Sequence, residues 1–149
     1  MKMKNAFILF IFFLTCQTLL AQKSEVLNND NIVAMHLAKV SGNLIIQKIN
    51  SSTTRFDMST PGLLGLKSVK IPESIMEVML SATKPAEVLQ NEQVIQLNQA
   101  GFSKRFIIQK IQAETNRFNV TTDGLIQLRI AKIPEAVTKV MINGNARTK

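Results

Sequence analysis

Residues Leu44–Phe56 read LIIQKINSSTTRF, and residues Phe106–Phe118 read FIIQKIQAETNRF. These stretches anchor a gapless self-similarity: 27–80 recur at 89–142 with a constant offset of 62, and 22 of the 54 aligned positions are identical. Half of that offset aligns too. At 31, Lys39-Val40-Ser41-Gly42-Asn43-Leu44-Ile45 falls on Lys70-Ile71-Pro72-Glu73-Ser74-Ile75-Met76, and 101–107 falls on 132–138, matching in chemical class more than in identity. A period in this range is the mark of stacked helical hairpins, each too small to bury its apolar side alone. The expected fold is all-α: tandem duplicated short helical hairpins, four units of about 31 residues in two pseudo-equivalent halves.

Within a unit the apolar spacing is nearer 3.6 than 2. Ile32, Val33 and Met35 with Leu37 and Ala38 make one stripe, echoed by Val94, Ile95, Leu97 and Ala100. The second helices would bury Leu44, Ile45 and Ile49, echoed by Phe106, Ile107 and Ile111, and leave Gln47, Lys48, Gln109 and Lys110 in water. Asn29 and Asn91, just ahead of Asp30 and Glu92, are expected as helix caps. Thr60 before Pro61, and Thr122 with Asp123, play the same part, while Pro72-Glu73 and Pro134-Glu135 read as first turns. Phe56 and Phe118 are expected as core anchors between hairpins, with an exposed binding aromatic as the alternative. Arg55 and Arg117 admit two readings: guanidinium groups capping helix-end carbonyls, or a repeated contact for an anion.

Positions 1–21 have the parts of a secretory signal: Lys2 and Lys4, the apolar run Ala6 to Leu14, and the small residue Ala21. The run is too short to span a bilayer. Expected segments are a signal peptide at 1–21, a first repeat at 22–82, a linker at 83–88, a second repeat at 89–143 and a polar tail at 144–149. Cys16, the one cysteine, falls inside the signal; lipid anchoring through it is the lesser expectation because Thr15 precedes it. Removal of the signal leaves 16 basic and 10 acidic residues, a balance of +6. Such an excess favours anionic lipid or envelope polysaccharide. The basic residues are scattered, however, which is also how a soluble surface is built.

Little in the sequence points to catalytic chemistry. His36 has Asn98 as its counterpart and no second histidine or cysteine beside it. Glu73, Glu77, Glu135 and Asp57 are the carboxylates considered for acid–base work, but none is forced into a pair by spacing, and first-turn glutamates have a structural use. No P-loop, GxGxxG or GxSxG occurs. Tandem helix-hairpin-helix binding of nucleic acid is disfavoured, because the turns at Ile71-Pro72-Glu73 and Ile133-Pro134-Glu135 lose an amide and add a negative charge.

Gln99-Ala100-Gly101-Phe102-Ser103 through Ile111, and Phe56-Asp57-Met58-Ser59-Thr60 through Leu66, resemble an uncharacterised tandem helical repeat of exported bacterial proteins, with the pattern A-G-x-S-x-x-x-I-I-x-K-I followed by F-D-x-S-T-x-x-L-x-x-L. The first copy departs from it at Lys39-Val40 and the second at Asn119. The resemblance implies export and a helical-repeat architecture, with no assigned activity. The resulting expectation is a non-catalytic interaction module in the periplasm, or secreted, of a Gram-negative bacterium, without cofactor or metal. Its partner would be another envelope protein, or else anionic lipid or polysaccharide. The candidate interaction face is Gln47, Lys48, Arg55 and Lys70 with Gln109, Lys110, Arg117 and Lys132.

Overall fold

The computed structural model describes residues 25–145; residues 1–24 and 146–149 lie outside it, and with them the expected signal segment, Cys16 and most of the polar tail. The fold is all-α, with eight helices among the described residues. They form four hairpins: α1 (Asn29–Leu37) with α2 (Gly42–Asn50), α3 (Thr60–Ser68) with α4 (Glu73–Ser81), α5 (Asn91–Gln99) with α6 (Lys104–Ala113), and α7 (Thr122–Ile130) with α8 (Glu135–Asn145). The first helices begin at 29, 60, 91 and 122 and the second at 42, 73, 104 and 135, so one constant interval relates each hairpin to the next.

The turn inside each hairpin explains why half of the repeat offset also aligns the sequence. Lys39, Lys70, Gly101 and Lys132, spaced by that same interval, all sit at positive φ, between 56° and 76°. Each ends its helix in a left-handed cap, which lets the next amide reach back to a carbonyl that the helix leaves unpaired. Val40 N–H donates to the Met35 carbonyl at 3.0 Å, Ile71 to Leu66 at 3.1 Å, Phe102 to Leu97 at 3.1 Å and Ile133 to Leu128 at 3.0 Å. The apolar residue after the turn thereby folds onto the last turn of its own helix. Ile71, Phe102 and Ile133 are buried by it.

The hairpins stack in two rows. Helix α2 packs on α4, α4 on α6 and α6 on α8, while α3 packs on α5 and α5 on α7. Between the rows lies a continuous core that includes Ile45, Ile49, Ile75, Met76, Met79, Leu97, Phe106, Ile107, Ile111 and Val137, with Phe56 and Phe118 also buried. Two very short parallel pairings stand outside the helical scheme: β1 (Val26–Leu27) with β2 (Thr53–Thr54), and β3 (Val88–Leu89) with β4 (Thr115–Asn116). They clip the chain entering hairpins one and three to the chain leaving them. The clip ends with Arg55 N–H on the Leu27 carbonyl at 2.7 Å and Arg117 N–H on the Leu89 carbonyl at 2.8 Å.

The helix starts correct the sequence reading by a single position. The caps are Asn28, Ser59 and Thr121, with Gln90 at the corresponding place, rather than Asn29, Thr60, Thr122 and Asn91. Asn29 and Asn91 have other work, because an amide offers both a donor and an acceptor. Asn29 holds the backbone of Asp57 from both sides, donating to its carbonyl at 2.8 Å and accepting its N–H at 3.0 Å. Asn91 holds Asn119 in the same way, at 2.9 and 3.1 Å. Asp57 Oδ1 accepts from the Ser59 N–H and hydroxyl, and Asn119 Oδ1 does so from Thr121. An acceptor oxygen is all this turn requires, so Asn serves as well as Asp. The neighbouring shared glycines follow from the same turn: a Cβ at Gly62 would meet the Asp57 carbonyl at 2.5 Å, and one at Gly124 would run into that of Asn119.

The expected burial of the first hairpin also needs correction. Leu37 and Leu44 are exposed. Leu37 lies on a side that is exposed in every hairpin, at Ser68, Gln99 and Ile130 as well, whereas the equivalents of Leu44 are buried in the hairpins that have a neighbour before them. No helix among these residues is long and apolar enough to cross a membrane.

Candidate binding grooves and the central charge cluster

Of the eight polar residues expected to share a face, six are exposed, Gln109 is half-buried and Lys110 is buried. Lys70 and Lys132 occupy the hairpin turns, ahead of their second helices, whereas Arg55 and Arg117 follow the far ends of α2 and α6. A nine-residue helix separates such positions by about 13 Å. Gln47 and Lys48 are exposed on α2, and Lys48 pairs with Glu25 at 3.3 Å. Gln109 is half-buried, reaching Ser81 Oγ at 3.5 Å. Arg55 and Arg117 are exposed, and what they contribute to the fold is their backbone N–H. Arg55 lines a shallow hollow with Asn28, Asn29, Asp30 and Asp57. Two carboxylates in that hollow oppose the anion-contact reading of Arg55.

Lys110 overturns its assignment outright. It is 0% exposed; its ammonium donates to the Met58 carbonyl at 2.6 Å and to Glu114 Oε1 at 2.6 Å, and lies 3.1 Å from Glu87 Oε1 as an ion pair. Glu114 Oε2 accepts the Ala86 and Glu87 amides at 2.7 and 3.1 Å. Glu87 Oε1 accepts the Thr60 N–H at 2.8 Å and its hydroxyl at 2.9 Å. A buried charge is tolerable only with such full pairing. The cluster fastens the 58–60 turn and the 86–87 segment to α6. The sequence did hold a sign of it, since Glu114 stands one helical turn beyond Lys110 where the first copy has Ser52.

The carboxylates considered for acid–base work are also engaged. Glu77 is bound by Arg105 Nη2 at 2.5 and 2.7 Å, and Glu135 by Lys139 at 2.7 Å. Glu73 takes Lys67 Nζ at 2.8 Å and the Ser103 N–H at 3.1 Å. Burial pushes the Glu73 carboxyl up, but the hydrogen bonds from Lys67 and Ser103 outweigh it and hold the group below its ordinary range. Lys67 Nζ also donates to the Gly101 carbonyl at 2.9 Å and lies 4.7 Å from the centre of the Phe102 ring. Among the described residues no three His, Cys, Asp or Glu side chains converge as a metal site, and His36 is half-buried.

What the stacking does create is a pair of related grooves. The larger, about 580 Å³, runs beside the ends of α2 and α4 and is lined by Ile49, Asn50, Ser52, Thr54, Val78 and Ser81, with Gln109 of α6 at its side. The other, about 450 Å³, runs beside the ends of α6 and α8 and is lined by Ile111, Gln112, Glu114, Asn116, Val140 and Asn143. Each of those six is the second-repeat counterpart of one in the first groove. Both grooves have an apolar floor, Ile49 with Val78 and Ile111 with Val140, under a rim of amides and hydroxyls. Asn116 donates to the Ile111 carbonyl at 2.9 Å, while its Oδ1 is buried without a hydrogen-bond partner. A buried acceptor left unpaired is costly and calls for a donor. The residue types lining the grooves are ordinary ones in the sequence, so the grooves emerge only from the stacking. No protein family, curated protein or solved structure was found to match the chain.

Proposed function

We propose that this protein is an exported, non-catalytic interaction module of the cell envelope that holds an extended segment of a partner polypeptide across its two grooves. The observation that carries the reading is the recurrence of the groove one repeat apart, with six lining positions in correspondence. Amide and hydroxyl rims suit a peptide backbone, which presents donors and acceptors alternately, and the apolar floors suit small aliphatic side chains. Export is supported by the make-up of residues 1–21. Hairpins in one row are about 9 Å apart, so grooves two hairpins apart are bridged by roughly five or six extended residues. Occupying both grooves with one ligand multiplies affinity through effective concentration.

Panning the purified protein against a displayed library of unstructured peptides tests this. Binders should be lost with Ser81→Arg and with Asn143→Arg, since each exposed lining residue would then fill its own groove. Binders that survive both changes would refute the groove reading.

A second reading rests on a different observation. Lys39, Lys70 and Lys132 recur at the same turn position in three of the four hairpins, which puts a row of exposed cations along one edge. That edge suits an anionic membrane or polysaccharide surface. Cosedimentation with anionic vesicles should fall steeply with added salt and fall again when all three are changed to Gln; salt-insensitive or absent binding sinks it.

A further inference from the structure

The two ends of the stack present residues whose counterparts are buried where hairpin two meets hairpin three. Leu44 at the amino-terminal end is 57% exposed, whereas its second-repeat counterpart Phe106, on a helix that packs against the preceding hairpin, is 0% exposed. Ile142 at the carboxyl-terminal end is 42% exposed, whereas its first-repeat counterpart Leu80 is 3% exposed. Thr122 is exposed and its counterpart Thr60 is buried. In each case the difference is whether another hairpin lies on top.

We infer that the chain associates head to tail with a second copy of itself, hairpin four of one molecule docking on hairpin one of the next as hairpin two docks on hairpin three within the chain. Hairpin four is the repeat of hairpin two, and hairpin one is the repeat of hairpin three, so the internal junction is the template for the external one. Part of the polar fastening is retained as well as the apolar contact. Lys110 with Glu87 reappears as Lys48 with Glu25, already paired at 3.3 Å; Ser52 stands in place of Glu114, and a docked turn would bring the missing carbonyl and threonine. Val120 and Thr122 of hairpin four stand where Met58 and Thr60 supply those groups inside the chain. Glu73, which accepts the Ser103 N–H, reappears as Glu135, and Ser41 at the start of α2 retains an N–H to offer it. Arg105 with Glu77 becomes Asn43 with Lys139, a neutral group against a cation, which drops an ion pair without adding a repulsion. Such a contact joins unlike faces, so it propagates as an open stack or closes as a ring.

The test is sedimentation velocity of the purified protein over a wide concentration range, with Leu44→Glu and Ile142→Glu. Both positions are exposed in the single chain, so the variants should keep the parent's helical circular dichroism and melting temperature. The parent should grow beyond a dimer with concentration, and each variant alone should associate about thirtyfold or more weakly. An equimolar mixture of the two variants should form a dimer and stop there, because one still has an intact tail face and the other an intact head face. A parent monomeric at every concentration overturns the inference, as does a mixture that stays monomeric or a variant that associates like the parent.

Discussion

Lys48 and Lys110 stand in the same local sequence, Ile-Ile-Gln-Lys-Ile, yet the same substitution should have unequal costs at the two sites. Lys110→Met removes the one cation from a pocket that holds Glu87 and Glu114, leaving the buried Glu114 carboxylate and the partly exposed Glu87 without a counter-ion and the Met58 carbonyl without a donor. Breaking a buried pair by deleting one partner costs about 3–5 kcal/mol. Lys48→Met removes a pair whose cation side chain is 44% exposed, and surface pairs contribute about 0–1 kcal/mol. With an unfolding entropy of about 2.1 cal/mol/K per residue over the described length, 1 kcal/mol corresponds to about 4 °C, so the expected loss is about 12–20 °C at Lys110 and under about 4 °C at Lys48. Differential scanning calorimetry at neutral pH reads both. A double-mutant cycle of Lys110→Met with Glu114→Gln should show coupling of about 1 kcal/mol or more, since removing both charges relieves part of the penalty. Equal losses at the two lysines would refute the reasoning, because they would mean that stacking does not set the burial of Lys110.

The left-handed turns give a second expectation: Lys39→Gly, Lys70→Gly and Lys132→Gly should each stabilise by about 0.5–1 kcal/mol, the relief of positive φ exceeding the added backbone entropy, while Gly101→Ala should destabilise, all read as shifts in urea midpoint. Gly124→Ala should cost about 1–3 kcal/mol in the same assay, since its Cβ would meet the Asn119 backbone and shift the cap of α7; an unchanged midpoint would show that the turn yields. For Glu73 the folded carboxyl lies below its unfolded value of 4.5, so its stabilisation is full above that pH and is lost as pH falls below it. Thermal melts should therefore show Glu73→Gln less sensitive than the parent to acidification from about pH 5 to 3, and parallel curves would remove the claim.

Much of the architecture is legible in the sequence because it is carried by local chemistry. The half-repeat offset superposes the four hairpin turns, and each turn is written in one left-handed position followed by an apolar residue that covers its own helix. Helix starts read one position late because Asn29 and Asn91 resemble caps in isolation, whereas their amides are claimed by the distant loop residues Asp57 and Asn119. Lys110 misleads for a related reason: helical periodicity says which side of α6 a residue occupies, and only the stacking of hairpin two decides that this side is covered. The grooves lie further still from the sequence. Their rims are Asn, Gln, Ser and Thr at helix ends, where such residues are ordinary, and their meaning comes from the approach of one hairpin's end to the next.

The junction between the two sequence repeats carries more polar fastening than the junctions on either side of it. Hairpins two and three are joined by Glu73 with Ser103, Arg105 with Glu77, Lys67 with the Gly101 carbonyl, and the Lys110 cluster. Sequence dictates part of this imbalance. The residue opening the second helix of successive hairpins reads Ser41, Pro72, Ser103 and Pro134, and a proline has no N–H for the first-turn residue of the hairpin before it. Only at Ser103 does a free amide meet a preceding glutamate, so the segment 83–88 is a linker in sequence and a fastening in the fold. In a stack whose stability is a sum of hairpin and junction terms, the central pair is then the last to open. Native-state hydrogen exchange should rank the amides of α4 and α6 as the most protected, with α1 and α8 opening first. Two repeats exchanging as independent blocks, with α4 and α6 no slower than the ends, would show the polar junction to be ineffective.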